Sequence, residues 1–150
     1  MDPDRGYWGT RGFTWKRGAM SRPWRLLIVE DMEVYARFVK LRLESLGYEV
    51  LGIAMDGPTA VAEALDKKPD LIIMDISLKT SMTGIEAARE ILNQSRIPII
   101  FLTGNTDKEV LKEGEEISDS EVFLKPFSEQ ELHVAIQQAI ISNAMNRYVD

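Results

Sequence analysis

The sequence predicts an α/β protein, a doubly wound parallel sheet with helices on both faces in a three-layer sandwich. Three observations predict it. Five short apolar segments alternate with five stretches of helical period within 150 residues. The segments are apolar throughout rather than alternating, as strands covered on both faces are. Four of them hand over at their carboxyl ends to an ionisable or hydrogen-bonding residue, and right-handed crossovers would bring those ends to one rim.

The elements follow in order. Residues 25–30 (RLLIVE) form a short buried strand. Asp31 is placed to cap the next helix, whose apolar stripe is Tyr35, Phe38, Val39 and Leu46. Gly47 ends it where a left-handed cap is usual. Residues 48–54 make a second strand, and Gly57-Pro58 opens a helix through Val61, Ala64 and Leu65. Lys67 and Lys68 suit its last turn, and Pro69 stops it. Residues 71–75 are the third strand, followed by a Thr83/Glu86 capping box and a helix with Ile85, Ala88, Ile91 and Leu92 on one side. Residues 97–102 (IPIIFL) are the fourth strand, and Thr106 with Glu109 repeats the capping pattern. Residues 122–124 are the fifth strand; Ser128 and Glu131 cap a last helix that turns Leu132, Ala135, Ile136, Ala139 and Ile140 inward.

Composition narrows the function. The chain contains no cysteine, which excludes disulfides and thiolate metal sites and fits a reducing compartment. No apolar run approaches the ~20 residues of a membrane span, and the first residues do not resemble a secretory signal. A soluble, cytoplasmic protein is expected, with no membrane partner. Residues 1–23 are basic, aromatic and Gly-rich, with five Lys/Arg against two Asp, and read as a flexible extension. The overall charge of −6 leaves −9 on the remainder, a poor surface for nucleic acid.

The strand ends carry the chemistry. In a doubly wound sheet, sites gather beyond the carboxyl ends of the strands. This chain puts Glu30 and Asp31 there from strand one, Asp75 from strand three, Thr103 from strand four and Lys125 from strand five. Each alone reads as a cap, a turn residue or a solvated charge; together they read as a site. Three close carboxylates repel by several kcal/mol per pair at an effective dielectric near ~20. A divalent cation with Lys125 cancels them. Oxygen ligands without His or Cys call for a hard ion, Mg²⁺, and for an anion such as a phosphoryl group arriving with it.

The set VED, LIIMD, FLTG and FLKPF, in this order, resembles the receiver domain of two-component response regulators, in its single-domain chemotaxis and phosphorelay form, over residues 24–142. The resemblance implies a flavodoxin-like sheet of order 2-1-3-4-5. It implies a domain over 24–145, between the 1–23 extension and a 146–150 tail. It implies Asp75 as the phosphoacceptor, a carboxylate nucleophile served by a sensor histidine kinase or a histidine phosphotransfer protein. Asp31 would bind Mg²⁺ directly, Glu30 through water, and the Ser77 backbone carbonyl would add a ligand. Lys125 would neutralise phosphoryl oxygens, Thr103 would donate to them, and the Lys125-Pro126 bond would be cis. Ser77 and Asn105 would tune the lifetime of the acyl phosphate. A downstream protein would bind the face made by the fourth helix, fifth strand and fifth helix. Such a domain is no enzyme beyond its own phosphorylation and dephosphorylation.

The departures are informative. Val122 stands where the family often has an aromatic, and Phe123 points to the other face, which argues against output by aromatic rotation. A flavodoxin-like cofactor binder would need a phosphate loop where EDME stands. A haloacid-dehalogenase-type phosphatase would need a second Asp where Ser77 stands. A phosphorylation-independent interaction domain is the alternative that uses the same fold. His133 reads as a surface or interface residue, and the acidic run 109–121 as a solvated face.

Overall fold

In the computed structural model, which describes residues 22–118 and 122–149, five parallel strands alternate with five helices. The strands are β1 (Arg25–Val29), β2 (Glu49–Ala54), β3 (Leu71–Met74), β4 (Ile99–Thr103) and β5 (Phe123–Leu124). Their order is β2-β1-β3-β4-β5, as the resemblance implies. The helices are α1 (Glu33–Ser45), α2 (Gly57–Lys67), α3 (Gly84–Gln94), α4 (Lys108–Ser118) and α5 (Glu129–Val149). Most of the basic N-terminal extension and the end of the acidic run lie outside the described residues.

Period-two alternation divides the apolar strands between two cores. Leu27, Val29, Ile72, Met74, Ile99 and Phe101 face α2, α3 and α4. Leu26, Ile28, Leu71, Ile73, Ile100 and Leu102 face α1 and α5. The strand interiors are thus apolar on both faces because both faces are covered. Val122 packs in the first core and Phe123 in the second, opposite faces as expected.

The helix ends show where local reading succeeds and where it slips. The capping box of α3 has both bonds, Glu86 N–H to Thr83 Oγ1 and Thr83 N–H to Glu86 Oε1. Ser128 Oγ accepts from Glu131 N–H at the start of α5. Asp31 does not cap α1. The helix begins at Glu33, so the cap position is Met32, which has no side-chain cap bond. Asp31 Oδ2 instead accepts from the Lys79 N–H. Thr106 does not cap α4 either. Asp107, one residue closer, accepts from the N–H groups of Glu109 and Val110. The stripe of α1 is broader than the expected one: Ala36, Val39 and Leu43 are buried, Tyr35 and Leu46 pack partly buried against the same core, and Phe38 alone of the expected four is 44% exposed. Small Ala36 lets the helix approach the sheet and moves the aromatics to its margin. There Tyr35 stacks beside Phe38 at 6.0 Å, and Phe38 beside Phe127 at 6.5 Å. His133 is not a free surface residue, because its Nδ1 hydrogen-bonds the hydroxyl of buried Tyr48 at 2.8 Å.

Gly47 closes α1 at φ 100°. Its N–H reaches Glu44 O and the next N–H, of Tyr48, reaches Leu43 O, a Schellman pairing that satisfies two terminal carbonyls. A side chain at that φ is strained. Gly47→Ala should therefore cost about 1 kcal/mol, read from urea denaturation; an unchanged midpoint would show that the turn tolerates a side chain.

Candidate functional site

The parallel strands deliver their carboxyl ends to one rim, and backbone bonds carry the ladder one residue further. Asp75 N–H donates to Val29 O, Glu30 N–H to Ala54 O, and Lys125 N–H to Thr103 O. Strand alternation turns Glu30 to the side of Ile28 and Lys125 to the side of Phe123, both toward α1 and α5. There Lys125 Nζ lies 2.6 Å from Glu30 Oε1 and 3.2 Å from Asp75 Oδ2. Asp31 completes the group: one oxygen from each of Glu30, Asp31 and Asp75 lies within 4.8 Å of the others. The Lys125-Pro126 peptide is cis.

The remaining oxygens are also used. Glu30 Oε2 accepts from Met32 N–H and Asp75 Oδ1 from Ser77 N–H. Glu30 and Asp75 thus each have both oxygens engaged. Thr103 lies fully buried in β4, its Oγ1 accepting from Asn105 N–H at 3.1 Å. Asn105 Nδ2 in turn donates to Ser77 Oγ at 2.9 Å. The loop after β3 and the loop after β4 are therefore tied together beside Asp75. This tie was not legible in the sequence, since it joins positions 28 apart through two short side chains.

Burial sets the electrostatics. Glu30 and Asp75 are only 3% and 7% exposed. Burial pushes the Glu30 carboxyl above its ordinary value, against the opposing pull of Lys125 and the Met32 N–H, and the Asp75 charge adds to the rise. Burial alone would lower Lys125, but its bonds to Glu30 and the charge of Asp75 outweigh it and hold the ammonium above its usual value. Three carboxylates and one ammonium leave a formal charge of −2. Like charges within 4.8 Å of one another repel by at least about 3 kcal/mol at an effective dielectric near ~20. A divalent cation is the charge that balances the set.

The donor set fits such an ion: three carboxylate oxygens within 4.8 Å of one another, with no His and no Cys among them. Asp31, Asp75 and the Ser77 carbonyl would hold it. The sequence reading passed over two neighbours of the site. Tyr35 projects from α1 with its ring 4.3 Å beneath Lys125 Nζ. Gly84, the first residue of α3, donates its N–H to Ile76 O, and a Cβ on it would overlap the Asp75 carbonyl oxygen and come 2.9 Å from Ile76 Cα. Gly after a capping Thr was the available signal for the second; nothing in the sequence marked the first.

Comparisons with known proteins agree with this geometry. A family model described as the response regulator receiver domain matches residues 26–137. The transcriptional regulatory protein PdtaR of Mycobacterium tuberculosis is 36% identical over 118 residues, covering 79% of this chain and 57% of that protein. The chain spans about half the length of the curated relatives it matches. Among solved structures, the signal receiver domain of a modulated diguanylate cyclase from Desulfovibrio desulfuricans G20 superposes with a TM-score of 0.77 at 34% identity, over 83% of this chain and 98% of that one. The receiver domain of a sensor histidine kinase from Pseudomonas aeruginosa PAO1, with a magnesium ion coordinated in its active site cleft, gives a TM-score of 0.71 at 34% identity, over 79% of this chain and 98% of that one.

Two predictions follow from the packing and the charges. Gly84→Ala forces α3 away from the Asp75 backbone and should cost about 1–3 kcal/mol, with the Ser77 amide resonance displaced; an unmoved resonance would contradict the close approach. A carboxyl whose folded value is raised contributes stability below its unfolded value and loses it as pH rises through the folded one. In metal-free protein the parent should therefore lose stability relative to Glu30→Gln as pH rises above the ordinary glutamate value. Parallel pH profiles from denaturation would contradict the burial of that charge.

Proposed function

Because this chain belongs to the response regulator receiver domain family, we propose that it is a phosphoacceptor switch, with Asp75 the acceptor and Mg²⁺ its cofactor. The observation that carries the reading is the Lys125 ammonium between Glu30 and Asp75, with an Asp31 oxygen in the same cluster. A carboxylate oxygen of Asp75 attacks phosphorus in line. The bond from phosphorus to the donor imidazole nitrogen breaks, and the nitrogen keeps the electron pair and takes up a proton. Bound Mg²⁺ would neutralise phosphoryl oxygens and align the transfer.

The chain's own residues do the rest. Lys125 exchanges a carboxylate for a phosphoryl oxygen. The Thr103 hydroxyl, already acting as an acceptor for Asn105 N–H, keeps its own hydrogen to donate to the phosphoryl group. The Ser77–Asn105 tie lies beside Asp75, whose Oδ1 accepts from Ser77 N–H; there it would limit the approach of hydrolytic water and so set the acyl phosphate's lifetime. The donor is a sensor histidine kinase or a histidine phosphotransfer protein, and the target is a protein on the face of α4, β5 and α5. The charge of the domain disfavours nucleic acid. Among the described residues no helix is long and apolar enough to cross a membrane; we place the domain, residues 24–145, in the cytoplasm.

A phosphorylation-independent interaction domain is the second reading. What favours it is Val122: its Cγ2 would lie 3.1 Å from a Cβ built on Gly114 of α4, and it offers no aromatic side chain to rotate. Beryllofluoride, an acyl-phosphate mimic, separates the two: partner affinity that changes on its addition supports a switch, and identical affinity supports the scaffold. Acetyl phosphate with Mg²⁺ should label the parent and not Asp75→Asn; retained labelling in the variant would remove Asp75 as acceptor. Asn105→Ala should change the half-life of the labelled form several-fold, and an unchanged half-life would detach the tie from water control.

A further inference from the structure

We propose that Tyr35 is a positioning residue for phosphoryl transfer, its ring face holding the Lys125 ammonium at the acceptor site; the inference rests on the phosphoacceptor reading above. The ammonium is enclosed on three sides. Glu30 and Asp75 take two of its bonds, and the Tyr35 ring lies 4.3 Å away on a third side. The Lys125 side chain is 16% exposed, so the charge is largely desolvated, which is where attraction between a cation and a ring face is strongest.

The ring supplies something the carboxylates cannot. A hydrogen bond to Glu30 fixes a direction and must break when Lys125 turns to an incoming phosphoryl oxygen. A ring face attracts the charge without fixing a direction, so the ammonium can pivot between acceptors while remaining at the site. The ring is itself fixed. Tyr35 stacks beside Phe38, and Phe38 beside Phe127, two residues after Lys125. The hydroxyl is not the working part: its oxygen is buried and has no hydrogen-bond partner among the described residues. Burial, with the charges of Glu30 and Asp75, pushes its pKa up to about 12, so the ring faces Lys125 uncharged.

The test compares phosphorylation of the full chain by acetyl phosphate with Mg²⁺ across variants at position 35, together with the Lys125 ε-CH₂ resonance in ¹³C-lysine-labelled protein. Tyr35→Leu should slow labelling at least about fivefold, the scale of such an interaction at an exposed site, and up to about thirtyfold, its scale when desolvated. It should also move the ε-CH₂ protons downfield as the ring's shielding is lost. Tyr35→Phe should restore both, with a melting temperature at or above the parent's, because it discards an unpartnered buried hydroxyl. Because Leu can disturb α1, a second series introduces mono-, di- and trifluorophenylalanine at the same position. These keep the ring's shape while draining its face of negative potential, and the rate should fall stepwise. A flat fluorine series, or Tyr35→Phe as slow as Tyr35→Leu, overturns the inference while leaving Asp75 labelled and the wider reading intact. A parent that acetyl phosphate does not label removes both.

Discussion

One ammonium group between two buried carboxylates is the constraint on which the rest of this structure depends. Lys125 Nζ meets Glu30 and Asp75 at the rim of an apolar sheet, where neither acid has ready access to water. Burying three charges to pair one cation is a poor route to stability, since desolvation commonly cancels the Coulombic gain. The arrangement makes sense as a site kept short of positive charge. Its deficit is the size of one divalent cation, and its walls already hold each carboxylate by a backbone N–H: Met32 for Glu30, Lys79 for Asp31 and Ser77 for Asp75.

The two faces of the sheet then divide the work. The face toward α1 and α5 carries Glu30, Lys125 and the aromatic row of Tyr35, Phe38 and Phe127. The face toward α3 and α4 carries Thr103, Val122 and Gly114, the one described residue of α4 that is buried. A helix that meets the sheet through glycine, with Val110, Leu111 and Ile117 only partly covered, has little apolar area holding it in place. That is a suitable element for a switch to move, and Thr103 stands at the end of the strand beneath it.

Most of the fold was legible because the signals were redundant. Apolar runs, capping pairs and glycine stops all pointed to the same five repeats, and the two covered faces follow from strands with no polar alternation. The four strand ends were legible as a site for the same reason: no single residue was diagnostic, but topology puts all four ends on one rim. What sequence could not give was decided by a residue or less of helix phase. Asp31 and Thr106 each looked like caps, yet each helix starts one residue later, which frees Asp31 for Lys79 N–H and gives α4 to Asp107. Tyr35 was read as core because its spacing suits a buried stripe, and it does pack against that core; that its ring also lies under Lys125 was not legible. The Ser77–Asn105 bond depends on two loops meeting, which no local pattern encodes.

The central claim is that the rim carboxylates form a magnesium site. Calorimetric titration of the parent and of Asp31→Asn with Mg²⁺ at neutral pH tests it most directly. One ion bound per chain, with binding lost or greatly weakened in the variant, is the predicted result. No heat of binding in the parent, or equal binding in both proteins, would contradict it.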